Sequence, residues 1–321
     1  MALQTASGTT RPRADLAGLL ETYSRNLDNL IGLKLSPYFG VPTQDGRYYS
    51  RTKADVAVPS GPRAPGTSFE RQNFVTTQTT YQTIQYALEG AVPVEQQNEY
   101  GSVFDVELAT GESLAHNLMV GHEVRVMADV FNNTNYPNSG LTGKASAAAW
   151  NISSTKTIAE VNAGRNSIVA RTDMDPDTLV ISYATYLALG FNSELRETIG
   201  VRYNDSYNTT GLLSTERLAT IYDLKQVLVG RKRFNSTPSA ATPTMTQTVP
   251  DNEAFLCRVG SNANPVAEPC LMRTIGWELE GGILTAEDYL SDEIRSRVMR
   301  VLQHVTEHAV NRECGFRITG V

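Results

Sequence analysis

Apolar positions change their spacing several times along the chain, and each change marks an element. From Asp15, the residues Leu16, Leu19, Leu20, Tyr23, Leu27, Leu30 and Ile31 recur every three to four positions. That spacing predicts a helix capped by Asp15 and closed at Gly32. The preceding residues 1–14 are polar and read as an arm. Over residues 36–66 the helical spacing is lost, and Pro37, Pro42, Pro59, Pro62 and Pro65 punctuate the stretch. Asp45-Gly46 lies there between two extended segments, which predicts a hairpin turn. The hairpin has no consistent apolar face, so it reads as a ribbon projecting from the body. Thr- and Tyr-rich residues 74–89 predict strand. Between Val106 and Phe131, the residues Val106, Ala109, Leu114, Leu118, Gly121, Val124, Met127 and Phe131 predict one face of a helix ~40 Å long.

A Gly/Ala/Asn linker follows at Asn132–Ala148, then a helix at Ser154–Val169. Thr178–Ser182 reads as a buried strand. Helices are expected at Tyr183–Leu189, Ser193–Ile199 and Ser214–Ile221, and strands at Gln226–Val229, Glu253–Val259 and Cys270–Ile275. The tail Ser296–Val321 lacks proline and ends as strand, with Val301–Val310 extended.

Composition narrows the function classes. The 321 residues suit two domains or one elaborated domain. An apolar fraction of 40% is enough for a core. The net charge of −6 argues against a dedicated nucleic-acid binder. No apolar run reaches the ~18 residues of a membrane span. The start has no basic segment leading into an apolar one, so no secretory signal is expected. Cys257, Cys270 and Cys314 are too few and too scattered for a disulfide framework, and reduced, buried thiols are expected.

Candidate chemistry is sparse. His304-Val-Thr-Glu-His308 matches an inverted zinc-protease pattern, which would make His304, Glu307 and His308 the centre of a metallohydrolase. On a strand, however, His304 and His308 share a face that Glu307 does not, and no third ligand is evident. His116 and His122 are six apart on the long helix, a poor ligand spacing. The acidic pairs Asp173/Asp175 and Glu287/Asp288 have no partner for acid–base work. Phosphate-binding and serine-nucleophile motifs are absent. Accordingly no catalytic residue, metal or cofactor is assigned. The ribbon carries Arg47, Tyr49, Arg51 and Lys53 at period two. Such a face suits a nucleic acid, solvent, or an acidic neighbouring subunit. Arginine dominates the basic set, 22 to 6 lysines, and favours bidentate interface pairs.

The order of these parts resembles the major capsid protein of tailed bacteriophages, whose Hong Kong ninety-seven type fold is shared with encapsulin shells. The local likeness is carried by Gly46-Arg-Tyr-Tyr49, Arg63-Ala-Pro-Gly66, Thr79-Thr-Tyr81, Tyr86-Ala-Leu-Glu-Gly-Ala-Val-Pro93 and Pro176-Asp-Thr-Leu-Val-Ile181. The resemblance implies an α+β fold with an N-terminal arm (1–35), an extended β-hairpin loop (36–73), a peripheral domain (74–165) holding a long spine helix, an α/β axial domain (166–289) and a C-terminal return to the peripheral domain (290–321). It implies a structural protein, not an enzyme, assembling as pentamers and hexamers into an icosahedral shell around double-stranded DNA, held without sequence-specific contacts. Arg47, Tyr49, Arg51, Lys53 and Arg63 would then make intersubunit contacts. No cleaved scaffolding segment precedes the arm here, so a separate scaffolding protein, or none, is implied; portal and decoration proteins are the family's other partners. The expected location is the virion, with assembly in the host cytoplasm and no membrane. An encapsulin-like nanocompartment is the alternative with the same fold.

Overall fold

The computed structural model describes residues 29–51, 62, 64–68, 76–100, 105–152, 154–203, 213–237, 242, 244–261 and 269–321. Its elements begin with the short helix α1 (Gly32–Leu35) and the strands β1 (Tyr38–Val41), β2 (Asp45–Arg51), β3 (Thr76–Gln82) and β4 (Ile84–Pro93). Helices α2 (Val94–Tyr100) and α3 (Val106–Val130) lead to β5 (Gly143–Ala145), α4 (Thr157–Thr172) and β6 (Thr178–Ser182). Next come α5 (Tyr183–Leu189), α6 (Ser193–Tyr203), α7 (Thr215–Ile221), β7 (Gln226–Gly230), β8 (Arg233–Asn235), β9 (Met245–Gln247) and β10 (Glu253–Cys257). The last strands are β11 (Met272–Trp277), β12 (Thr285–Ser291), β13 (Ser296–Ala309) and β14 (Gly315–Thr319).

One sheet is built around β13, the longest strand. It pairs with β4 along one edge and with β12 and β11 along the other, all antiparallel, and β1 adds in parallel to β11. The second sheet has the order β5-β14-β10-β6-β7. Its residues alternate between two cores, as strand geometry requires. Leu179, Ile181 and Leu256 face the core under α4–α7, with Trp150, Val161 and Ile168. Val180, Phe255 and Cys257 face the opposite core.

Helix α3 ties the two sheets together. Asp105 caps it by accepting from the Leu108 N–H at 3.1 Å. Near its middle, Ala115 and Leu118 pack on Ala286, Met299 and Val301 of the first sheet. Toward its end, Val126, Met127 and Val130 join Val180 and Phe255 of the second. One helix therefore fixes the angle between two sheets.

Several expectations are corrected. The helix foreseen from Asp15 lies outside the described residues up to residue 28, and Gly32 opens α1 where a helix end was expected. Asp45-Gly46 is not a turn. It starts β2, whose partner is β3, from Asp45 opposite Gln82 to Arg51 opposite Thr76. The glycine serves a close approach: a Cβ at Gly46 would sit 2.5 Å from Tyr81 Oη. The buried face of α3 holds Glu107, Gly111, Ala115, Leu118, Met119, His122, Glu123, Val126, Met127 and Val130, so only Leu118 and Met127 of the foreseen stripe are fully inside. The linker at Asn132–Ala148 contributes the edge strand β5, parallel to β14. Helix α4 starts at Thr157. Helix α2 and strands β8, β9 and β12 gave no usable pattern, being short or mixed in polarity.

Candidate assembly surface

The β2–β3 ribbon stands apart from both sheets and forms its own two-stranded unit. Its two faces differ in chemistry. Tyr48 turns inward: its hydroxyl hydrogen-bonds His308 Nε2, and the two rings meet edge to face at 4.9 Å. Arg47 and Tyr49 alternate with it and are exposed, Tyr49 by 64%. Opposite them on β3 stand Thr80 and Gln78, which supply no carboxylate. Among the described residues Arg47 makes no ion pair. Arg51 occupies the matching register position at the end of β2, opposite Thr76. Lys53 and Arg63 lie outside the described residues.

The His304–His308 segment falls on β13, as its pattern suggested, and divides between two environments. His304 is buried, with Nδ1 3.0 Å from Thr83 Oγ1 and its ring edge-on to Trp277 at 5.0 Å. Glu307 turns to α3, where Arg125 donates to it at 3.0 Å through Nε and stands over the Tyr86 ring. The carboxylate is thus committed to an arginine on the opposite face from both histidines. Among the described residues no group of three or more His, Cys, Asp or Glu is placed to hold a metal.

A buried polar node, which apolar spacing could not have revealed, joins the start of α1 to α3. Glu123 Oε2 accepts from the Ile31 N–H at 3.0 Å and from the Gly32 N–H. These are free donors at a helix start, where a carboxylate is favoured. A Cβ at Gly32 would sit 2.8 Å from that oxygen, so a side chain there would break the contact. The other oxygen, Oε1, is buried without a partner. Burial outweighs these bonds and the nearby Lys232 and Lys34 charges, and pushes the Glu123 carboxyl up to about 7. Next to it, His122 Nε2 lies 2.9 Å from Thr274 Oγ1. Burial lowers His122 to about 4, so this ring is neutral at pH 7. All three cysteines are free and buried, and burial pushes the Cys314 thiol up to about 12.

Ion pairs gather on the first sheet. Arg297 joins Asp288 at 2.7 Å and Glu107 at 3.4 Å, linking β12, β13 and the start of α3. On the second sheet Arg317 meets Glu253 through two nitrogens at 2.6 Å. These arginines are used within the subunit, whereas Arg47 makes no ion pair among the described residues and shares its strand face with Asp45 two positions away.

No family model and no curated protein matches the sequence. Solved structures do match the fold. The chain is similar to a phage-related protein from Bordetella bronchiseptica RB50 at 18% identity and a TM-score of 0.73, over 97% of this chain and 98% of that one. It is similar to the capsid of cyanophage P-SCSP1u at 12% identity and a TM-score of 0.58, over 89% and 86%. The SrpI encapsulin of Synechococcus elongatus PCC 7942 matches at 10% identity and a TM-score of 0.52, over 92% and 89%. The chain therefore has the α+β fold shared by phage capsid proteins and encapsulin, the Hong Kong ninety-seven type that its order of parts resembled.

Proposed function

We propose that this chain is the major capsid protein of a tailed phage, assembling as pentamers and hexamers into an icosahedral shell around double-stranded DNA. The observation that carries the reading is two-way coverage: the likeness spans 97% of this chain and 98% of the Bordetella protein, so it is not one shared module. In this reading residues 1–35 are the arm, 36–73 the extended loop leading into β3, 74–165 the peripheral domain with α3 as spine, 166–289 the axial domain, and 290–321 the return. The protein is structural, and its chemistry is association. Arg47, Tyr49, Arg51, Lys53 and Arg63 contact a neighbouring subunit. An acidic subunit suits a container, because a basic wall would hold DNA electrostatically. The shell resides in the virion and forms in the host cytoplasm, with scaffolding, portal and decoration proteins as partners of the complete head.

The likeness to encapsulin supports a second reading, a nanocompartment around a protein cargo. Negative-stain microscopy of the purified protein tests assembly, and ultraviolet absorbance with nuclease digestion of particles from infected or lysogenic cells separates the readings. Closed shells filled with DNA are expected. Shells holding protein and no DNA would favour the compartment, and a monodisperse monomer across salt and concentration would defeat both.

A further inference from the structure

Arg273, the second residue of β11, is only 4% exposed. Met272 before it joins the core with Val126 and Met127, so Arg273 takes the other face of the first sheet. It stands directly opposite His308 of β13, the residue that meets Tyr48 of the ribbon. Its Nη2 donates to the Ser261 carbonyl at 3.2 Å. Nε and Nη1 are buried and have no partner. Among the described residues Arg273 makes no ion pair. Gly260 is buried against the guanidinium, where a Cβ would lie 2.6 Å from Nη2 and 3.0 Å from Cζ. A side chain at 260 would therefore push the charged head aside.

A buried lysine or carboxyl can neutralise itself by shifting its proton, but a guanidinium cannot. Left without a counter-charge it is strongly destabilising. The donors that remain have a definite shape. Nη2 carries two N–H groups, and the bond to Ser261 uses one of them. The other lies parallel to either the Nε–H or an Nη1–H, both unpartnered, so one complete two-donor fork is free. Such a fork matches two oxygens of one oxyanion. We infer that Arg273, backed by Gly260, is a binding site for a small oxyanion of the phosphate class. Its place beside the Tyr48–His308 contact puts the anion's charge where the ribbon meets the sheet. The site belongs to the single chain and needs no neighbouring copy.

The test is a titration of the full chain with inorganic phosphate, against sodium chloride at matched ionic strength. Thermal unfolding of wild type should rise saturably with phosphate, by about 2 °C at a tenfold excess over half-saturation, and should not respond to chloride. Arg273→Met keeps the length of the side chain and removes its charge. That variant should lose the phosphate response and, in chloride, unfold no earlier than wild type, because an uncompensated charge has been removed. Glu268→Gln separates a free anion from a carboxylate of the chain itself, and it should respond to phosphate as wild type does. Equilibrium dialysis of wild type, which needs no variant to fold, should find one phosphate per chain. The inference falls if wild type neither binds phosphate nor gains stability from it, or if Arg273→Met responds as wild type does. It falls equally if phosphate stabilises Glu268→Gln but not wild type, since the counter-charge is then internal.

Discussion

Glu123 is a carboxylate held by two backbone N–H groups and yet poorly solvated, and the poor solvation wins. Its carboxyl rises from an ordinary 4.5 to about 7. The folded chain therefore binds this proton more tightly than the unfolded chain does. The resulting stabilisation is complete below the unfolded value and is lost as pH rises through about 7. His122 works in the other sense: its value falls from 6.5 to about 4, so its contribution grows as pH climbs over that range. Glu123→Gln mimics the protonated group and isolates the first effect. Near pH 5 the variant should match wild type, whereas at pH 8 it should be the more stable by up to about 3 kcal/mol. Urea unfolding at both pH values measures this. A variant no more stable than wild type at pH 8 would mean that the ionised carboxylate is the better partner for Ile31 and Gly32.

At the scale of elements, the length of α3 was legible in the sequence and its inward face was not. The chain from Val106 onward has no proline and keeps helical spacing, so the span was found within one residue. The face was misplaced because Glu107, His122 and Glu123 occupy inward positions, each bonded to a distant partner: Gln97, Thr274 and the start of α1. Partners so distant leave no mark on local periodicity. The ribbon failed in a related way: Asp-Gly signals a turn locally, but the strand that pairs with it begins at Thr76. By contrast β6, buried at every position, was read correctly because a continuous apolar run needs no partner to be recognised. Of the surface proposed for assembly, the alternation of Arg47 and Tyr49 along β2 was legible in the sequence. The two assignments for α3 separate under one experiment. Leu118, 6% exposed against Met299 and Val301, should not tolerate aspartate, because an unpaired carboxylate there costs several kcal/mol, comparable to whole-domain stability. Val124, foreseen as inward but only half-buried, should accept aspartate with a loss of about 1 kcal/mol and remain soluble. Soluble expression and thermal unfolding of both variants check this, and equal damage would mean that both sides of the helix are covered.

At the scale of the whole molecule, the two sheets and α3 form one frame, and the ribbon proposed for assembly sits against the His308 end of β13. The ribbon has few apolar side chains, since β3 is Thr-Thr-Gln-Thr-Thr-Tyr-Gln, so little burial would hold it to a neighbour. Charge must then supply much of the selectivity at that contact, whereas exposed apolar residues such as Leu290, Leu279 and Phe191 supply area wherever they are covered. Salt separates the two contributions. Raising sodium chloride from 0.1 to 1 M shortens the screening length from ~10 to ~3 Å, which weakens exposed ion pairs and leaves apolar burial nearly unchanged. Each such pair contributes only ~0–1 kcal/mol, but the same contact recurs at every subunit of a closed particle. Particle yield at fixed subunit concentration should therefore fall between 0.1 and 1 M salt, as followed by light scattering and microscopy. Reversing Arg47, Arg51 and Lys53 to glutamate should leave a folded subunit that forms few particles at either salt concentration, because the attraction being screened is already gone. Particles that form equally well at both salt concentrations, from wild type and from the triple variant alike, would assign the contact to the ribbon's shape and remove its charge from the account.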